Sequence, residues 1–152
     1  MCRGITDLLG LPPSVRTLEL QLTPNLQNLN GLQPCSQALQ VMKLGGCSML
    51  QQLHPLDGCT ALQQQCIWGC PLEADLLPSA GCISLQELFL SHYPCVTDLA
   101  PLSACTQLRS LSIDHCAASL QGKKLTCGWP LVGCATLTLT GCTLAACADD
   151  VM

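Results

Sequence analysis

Cysteine and histidine are the residues of this sequence with the widest chemistry, and cysteine is abundant, at 14 of 152 residues. A thiolate binds zinc, attacks electrophiles or forms a disulfide. Two spacings are compatible with metal ligation, Cys66-x-x-x-Cys70 and His92-x-x-Cys95. Structural zinc usually takes four ligands from paired elements, and no second clean pair lies near either spacing. We therefore expect no metal site and no cofactor.

A cysteine nucleophile is the catalytic arrangement that these residues could form. Cys66 or Cys95 would need to converge with His92 in a cleft, together with a third group that orients the imidazole. The sequence contains no G-x-S-x-G, P-loop, dinucleotide-binding or H-E-x-x-H motif. Its ten acidic residues are too sparse for a convincing pair of catalytic carboxylates. We expect that the protein is not an enzyme.

The composition argues against two further classes of function. Six Lys and Arg against ten Asp and Glu give a net charge of −4, which is unfavourable for a surface that binds the phosphates of nucleic acids. No apolar run reaches the roughly 18 to 20 residues that span a bilayer, so we expect no membrane segment. The amino-terminal residues include Asp7 and lack the apolar core of a secretory signal. We therefore expect an intracellular, cytoplasmic protein.

The sequence repeats at steps of 23 to 26 residues. Each copy has a frame whose first, fourth and sixth positions are apolar, as in Leu85-x-x-Leu88-x-Leu90, except that the third copy has Gln65 at the fourth position. A period of this length is typical of a solenoid, in which each unit buries its apolar face against its neighbours. The six copies begin at Val15, Leu39, Leu62, Leu85, Leu108 and Cys134.

Alternation within each copy predicts a short β-strand. Apolar side chains at the fourth and sixth positions point to one face, and neighbours such as Lys43 or Ser112 point to the other. Stacking the copies pairs their strands into a parallel sheet and joins their apolar residues into one core. In the returning half of each copy, Pro55, Pro78 and Pro101 share one position and remove a donor that a helix interior needs. We predict short 3₁₀ or irregular segments on the convex side.

Two columns of the repeat are occupied mainly by cysteine. A thiol at such a position packs as a small apolar group and acts as a weak hydrogen-bond donor. Stacking in register points the Cβ atoms of neighbouring copies in parallel, which is poor geometry for a disulfide. We interpret these cysteines as structural thiols that stay reduced. The first column contains Cys47, Cys70, Cys116 and Cys142, and the second contains Cys35, Cys59, Cys82 and Cys105.

The repeat resembles the leucine-rich-repeat family, whose signature L-x-x-L-x-L-x-x-N/C-x-L recurs about every 20 to 29 residues. The segment VTDLAPL at 96–102, followed by CTQL at 105–108, is similar to the T-D-L-x-P-L repeats of bacterial internalins and of cysteine-containing leucine-rich-repeat proteins of trypanosomatid protozoa. The protozoan type is the more similar, because internalins carry Asn where this chain carries Cys. The resemblance implies an α/β-type repeat solenoid, a leucine-rich-repeat horseshoe with short parallel concave strands, that recognises a protein partner.

The resemblance extends over most of the chain, so we predict a single leucine-rich-repeat domain over 1–152. A partial amino-terminal unit occupies 5–14, and the units that follow begin near 15, 39, 62, 85, 108 and 134. The pattern slips after Ile113, where Gly122 occupies a leucine position, and we predict an irregular segment over 117–133. Neither end carries a recognisable polar cap, which repeat arrays need for solubility. The solenoid ends are therefore candidates for homo-oligomer contacts or for docking to another chain.

The concave face is the predicted binding surface. Its outward positions include Trp68 and Phe89, on neighbouring strands at the middle of the array, and aromatic residues dominate the centres of protein interfaces. The alternative is that the third copy, which has Gln65 in place of leucine, is distorted and turns Trp68 inward to fill the gap. The predicted partner-binding residues are Glu19, Lys43, Gln64, Trp68, Glu87, Phe89, Ser112 and Asp114.

His92 and His115 occupy the same position in adjacent copies, directly after the predicted strands. We expect them to stack within a few ångströms at one rim of the sheet, with Asp114 beside His115. A catalytic or metal-binding role is one interpretation of this arrangement. The interpretation that we favour is a partly exposed rim where histidine is an ordinary polar residue.

The sequence thus predicts a non-catalytic scaffold that binds a protein partner on its concave face. One alternative is a structural component of a larger cytoskeletal or flagellar assembly, docked through the uncapped ends of the solenoid. A thiol-redox or zinc-binding protein is a third hypothesis, which requires stoichiometric metal or several thiols with depressed pKa values.

Overall fold

The computed structural model describes residues 4–71, 81–92, 100–115 and 134–140. They contain a parallel sheet in which each strand pairs with the next one along the chain. Each strand begins two residues after the start of a predicted repeat frame, so the predicted sheet of stacked repeats is confirmed. The strands are β1 (Thr17–Gln21), β2 (Val41–Gly45), β3 (Gln64–Trp68), β4 (Glu87–Ser91), β5 (Ser110–Asp114) and β6 (Thr136–Thr140).

The strands pair without any slip of register, so equivalent residues of successive repeats lie side by side. Leu18 pairs with Met42, and Leu20 pairs with Leu44, and the same relation holds through to β6. Since side chains alternate along a strand, this register gathers the inward residues into two continuous columns. Gln65, at 1% exposure, occupies a place in the first column. The buried apolar members are Leu18, Leu20, Met42, Leu44, Ile67, Leu88, Leu90, Leu111 and Ile113.

The returning halves of three repeats contain described 3₁₀ helices, as the prolines predict. They span Asn30–Cys35, His54–Gly58 and Ala100–Ala104. Pro55 is the second residue of the second helix, in the first turn, where its missing N–H and fixed φ are tolerated. Their leucines, including Leu56, are fully buried against the sheet. These three repeats therefore each contain a short 3₁₀ helix after the strand, and the predicted segment around Pro78 lies outside the described residues.

The backbone turns out of each strand through a left-handed residue. The residues that follow the first five strands have φ values between 48° and 61°. Except at the last of these positions, the N–H donates to the carbonyl at the end of the next strand, at 2.8 to 3.1 Å. The sequence analysis did not predict this feature. The five left-handed residues are Leu22, Gly46, Gly69, His92 and His115.

Residues of the predicted partial unit at 5–14 pack against the first repeat. The carbonyl of Thr6 accepts the N–H of Gln27 at 3.1 Å, and Leu8 is 6% exposed. A Cβ added to Gly31 would overlap the carbonyl of Leu8, so glycine permits this close approach. The partial unit therefore covers one side of the first repeat.

Several sequence predictions lie outside the described residues, namely the irregular segment at 117–133 together with Cys116 and Cys142. The division of the chain into one domain with units at the stated starts stays a prediction. In the part of the chain that the structure describes, no helix is long and apolar enough to cross a membrane.

Candidate functional site on the concave face and its rim

In β1 to β5, the concave face carries the residues at the first, third and fifth positions of each strand. Their neighbours at the second and fourth positions are buried in β1 to β5, so the alternation defines the face. Because the strands are in register, the third positions form a central row across the sheet. This row contains the Glu19–Lys43 ion pair and the exposed aromatic group of the predicted site. Its members are Glu19, Lys43, Cys66, Phe89, Ser112 and Thr138.

Trp68 lies on the concave face, because its strand neighbour Ile67 is buried in the core while Trp68 itself is half-buried. Its indole covers Gly45, its register partner on β2. A Cβ built on Gly45 would overlap the ring atoms Cε2, Cζ2 and Nε1 of Trp68. The glycine therefore forms a seat for the ring. The alternative in which Trp68 fills the gap at Gln65 is not what the structure shows, since Gln65 itself points into the core.

Phe89 stands in the central row with 37% of its surface exposed. Its register neighbours are Cys66 on β3 and Ser112 on β5, both smaller side chains. Trp68 leans over Gly45 on the side away from β4, so among the described residues the two aromatics make no ring contact. The expected aromatic pair is therefore two separate apolar features, placed diagonally on adjacent strands.

Charge on the concave face is unevenly compensated. Lys43 Nζ lies 2.7 Å from Glu19 Oε1, and this hydrogen bond raises the pKa of Lys43. Burial raises the pKa of the neighbouring Cys66 thiol, and Lys43 opposes that shift. Glu87 is exposed and has no ion-pair partner among the described residues. The carboxylate of Glu87, two residues before Phe89, is thus the unneutralised charge beside the exposed ring.

A polar cluster lies at the rim, where the carboxyl-terminal ends of β4 and β5 meet. The rings of His92 and His115 are stacked with centroids 5.0 Å apart and an interplanar angle of 8°, as expected from their equivalent positions. His115 Nδ1 lies 2.7 Å from Asp114 Oδ1. Ser91 Oγ lies 2.8 Å from His92 Nδ1 and donates to Asp114 Oδ2 at 3.2 Å. Ser91 and Asp114 therefore connect the two histidine rings by hydrogen bonds. Ser91 is buried, at 6% exposure.

The described cysteines of the first column are fully buried at the turn after β2 and β3. Cys47 Sγ lies 3.2 Å from the hydroxyl of Thr23, which occupies the same position in the first repeat. Cys70 Sγ donates to the carbonyl of Trp68 at 3.5 Å. Hydrogen bonds from Cys70 and Thr23 lower the pKa of Cys47, and the hydrogen bond to Cys47 together with burial raises the pKa of Cys70. The thiols act here as hydrogen-bonding groups that fasten the turn.

The second column is buried beneath the 3₁₀ segments. Cys35 donates to the carbonyl of Leu32 at 3.3 Å, within its own repeat. Cys82 donates to the carbonyl of Leu56 at 3.6 Å, across to the preceding repeat. Burial raises the pKa of these thiols, to about 11 for Cys59 and about 12 for Cys82. The thiols of the second column are therefore protonated at neutral pH, and the described cysteines of both columns form no disulfide.

The structure adds two residues that the sequence analysis missed, Gly45 and Ser91. Gly45 is a strand glycine directly opposite a tryptophan in the next repeat, and aligning the repeats by column shows that juxtaposition. Ser91 gave no comparable signal, since its importance depends on how Asp114 and His92 turn toward it. Among the described residues, no three His, Cys, Asp or Glu side chains are grouped as metal ligands.

The chain was compared with family models, curated proteins and solved structures. Neither a family model nor a curated protein sequence matches it. Internalin C2 (inlC2) from Listeria monocytogenes is similar, with a TM-score of 0.56 and 23% identity over 84% of this chain and 51% of the internalin. An internalin (inlF) from the same organism has a TM-score of 0.59 and 19% identity over 85% of this chain and 42% of its own. This chain therefore has a leucine-rich-repeat fold, and it spans about half the length of these structures.

Proposed function

We propose that this leucine-rich-repeat solenoid binds a protein partner on its concave face and has no catalytic activity of its own. The observation that carries the proposal is Phe89, a large aromatic side chain with 37% of its surface exposed in the central row of the sheet. Exposed aromatic residues in a concave setting are typical of the centres of protein interfaces. We also propose that the protein acts inside the cell, and that its cysteine columns ally it with cysteine-containing leucine-rich repeats.

The partner's chemistry follows from the charges around Phe89. Lys43 is already paired with Glu19, so the accessible uncompensated charge of the central strands is the carboxylate of Glu87. A partner that places an apolar side chain on Phe89 and a Lys or Arg near Glu87 would match both features. Gln64 and Ser112 flank this region and provide hydrogen-bonding groups for a polar rim.

Trp68 contributes a second apolar surface whose position is fixed in advance. Its ring rests on Gly45, so little side-chain freedom is left for a partner to remove. Gly45→Ala places a methyl group where the ring lies and must displace it. This substitution changes the position of Trp68 without deleting it, which separates a role for the placed ring from a role for the side chain as such.

The experiment is a selection of binding peptides from a displayed random library, followed by affinity measurements on variants. We expect enrichment of sequences with an apolar residue near a basic residue. Phe89→Ala and Trp68→Ala should each weaken the selected peptides at least about tenfold, as interface anchors do, and Glu87→Gln should reduce the salt dependence. The matched control is Ile83→Ala, which removes an apolar side chain that is 53% exposed outside the strands. Equal losses for Ile83→Ala and Phe89→Ala would contradict the proposal.

The alternative is a structural component that docks through the solenoid ends or forms homo-oligomers. One observation favours it: Leu9, in the partial amino-terminal unit, and Leu22, in the first repeat, are 76% and 54% exposed. Native mass spectrometry over a concentration series tests this alternative. A discrete oligomer that is lost in Leu9→Ser and Leu22→Ser and unaffected by Phe89→Ala would favour it over concave-face binding. A thiol-redox role requires several thiols with depressed pKa values, because the thiolate is the reactive form. The pKa of Cys47 is lowered, but those of Cys59, Cys82 and Cys105 are raised, which opposes this role.

A further inference from the structure

The two apolar features of the concave face lie far apart. The Trp68 ring rests over Gly45, the fifth residue of β2, whereas Phe89 is the third residue of β4. Two strand spacings and two residues along the strand direction separate the two places. With about 4.8 Å between strands and about 3.3 Å per residue, the separation is about 12 Å. A partner that contacts both features must therefore present two apolar side chains at roughly this distance.

The pairing of the strands decides which backbone conformation of a partner suits this face. β2, β3 and β4 each pair with a strand on both sides, so the sheet offers no edge at this place. An extended peptide laid on the face would lose water from its own N–H and C=O groups without gaining backbone partners. An α-helix satisfies its backbone internally and presents side chains alone. The face therefore favours a helix over an extended strand.

The separation of the two features also sets a spacing along that helix. Residues seven apart lie on the same face of a helix, and their positions are about 10.5 Å apart. The length of the side chains covers the remaining difference. Cys66, the third residue of β3, lies between the two features in the register and is half-buried. Its small side chain leaves room for the helix residues between the two contacts.

We propose that the concave face binds an amphipathic α-helix of the partner, laid diagonally across β2, β3 and β4. One apolar residue of the helix contacts Trp68, and a second, seven residues away, contacts Phe89. From the same spacings, the helix axis crosses the strands at about 55°. This inference rests on the proposed function, since it names the kind of partner that the concave face takes.

The charge of Glu87 fixes a third position on the helix. Glu87 lies two residues before Phe89, on the side away from the Trp68 ring, and it is exposed without an ion-pair partner among the described residues. Along the helix axis it lies about 4 Å beyond Phe89. A Lys or Arg three or four residues beyond the apolar residue on Phe89 therefore reaches it. The net charge of −4 of the chain also favours a basic partner.

The experiment selects binders of the full chain from two displayed peptide libraries of equal length and diversity. The first library has an Ala-rich helical frame with randomised positions on every face. The second has the same randomised positions in a frame that is interrupted by proline, which prevents a helix. We expect binders from the helical library, with apolar residues seven apart and a Lys or Arg three or four residues beyond one of them. Circular dichroism of a synthesised binder should show a helical peptide in the complex.

Variants of the chain then test the register of the selected helix. Phe89→Ala and Trp68→Ala should each weaken binding at least about tenfold. Glu87→Lys should weaken it by a similar factor, and replacing the basic residue of the peptide by Glu should restore binding to this variant. The matched control is Glu19→Lys, which reverses a charge on β1, outside the proposed path, and should change the affinity by less than about threefold. Circular dichroism checks that every variant is folded.

The outcomes separate the helical partner from the proposed function on which it rests. Binders from the proline-interrupted library that lose affinity in Phe89→Ala overturn the helix and leave concave-face binding intact. Helical binders without the seven-residue spacing, or without recovery of binding in the charge exchange, also overturn it. If neither library yields a binder that depends on Phe89 or Trp68, the helical partner and the proposed concave surface are both refuted.

Discussion

The second cysteine column makes the fold sensitive to alkaline pH, and the size of the effect follows from its burial. Cys59, Cys82 and Cys105 are at most 2% exposed. Burial raises their pKa values from the ordinary 9.0 to about 11, about 12 and about 11. In the unfolded chain these thiols return to their ordinary pKa. Between pH 9 and pH 11 the unfolded state therefore releases protons that the folded state keeps.

The sign of the effect follows from proton linkage. A state that binds more protons loses stability as the pH rises, so the folded state has its full stability below pH 9 and loses it as the pH rises toward 11 and 12. One thiol contributes about 1 kcal/mol between pH 9 and pH 10, because the unfolded thiol is already half ionised at pH 9, and three contribute about 3 kcal/mol. Since a domain has a free energy of unfolding of about 5 to 15 kcal/mol, a shift from pH 9 to pH 10 removes a large part of it.

The assay is urea unfolding at pH 8, 9, 10 and 10.5 with a reductant present, followed by tryptophan fluorescence. Cys82→Ala removes one titrating thiol, so the slope of unfolding free energy against pH should fall by about 1 kcal/mol per unit between pH 9 and pH 10.5. The control Leu56→Val removes buried volume and no titrating group, so it lowers stability equally at every pH. If the plots for Cys82→Ala and the original chain are parallel from pH 8 to 10.5, the raised pKa of this thiol is refuted.

Two further predictions concern residues that break the pattern of their columns. Leu22→Gly relieves the strain of the left-handed backbone. It should raise the free energy of unfolding by about 0.5 to 1 kcal/mol, after subtraction of the entropy cost of glycine. The control Leu22→Ala keeps the Cβ and should give no gain in the same urea titration. Gln65→Leu replaces a buried amide in an apolar column and should stabilise by about 1 to 2 kcal/mol, whereas Gln64→Leu on the concave face should change stability by less than about 0.5 kcal/mol. A loss of stability in Gln65→Leu would mean that the polar contacts of Gln65 outweigh its desolvation.

The regular part of the fold could be predicted because each strand is specified locally and repeated. The alternation of Leu85-x-x-Leu88-x-Leu90 sets one strand, and the constant step places the next strand beside it in register. Pro55 similarly predicted the 3₁₀ segment that contains it. These features depend on the periodicity of apolar residues and on the backbone N–H that proline lacks, and both can be recognised in a single sequence.

The candidate site could be predicted only in part, because side-chain direction is not a periodic property. Position on the strand correctly placed Trp68 and Phe89 on the concave face, but the two rings do not pair, since Trp68 lies over Gly45. The packing of Trp68 on Gly45 could have been predicted, because the two residues occupy the same strand position in adjacent repeats. The left-handed residues were also visible, because Gly46 and Gly69 share a column with His92. The hydrogen bonds that connect His92 to Asp114 through Ser91 could not be predicted, because they depend on the rotamers of these side chains.

The five left-handed residues that follow the strands differ in how the strain of this backbone conformation is compensated. A residue with a Cβ in this conformation costs roughly 1 to 2 kcal/mol, and Gly46 and Gly69 avoid that cost. Leu22 bears it with a side chain that is 54% exposed and has no polar group to make a compensating bond. His92 and His115 bear the same cost, but each ring holds a hydrogen bond through Nδ1 to Ser91 or Asp114. The hydrogen bonds of the two histidine rings therefore offset part of this strain, whereas the side chain of Leu22 makes no hydrogen bond that could do so.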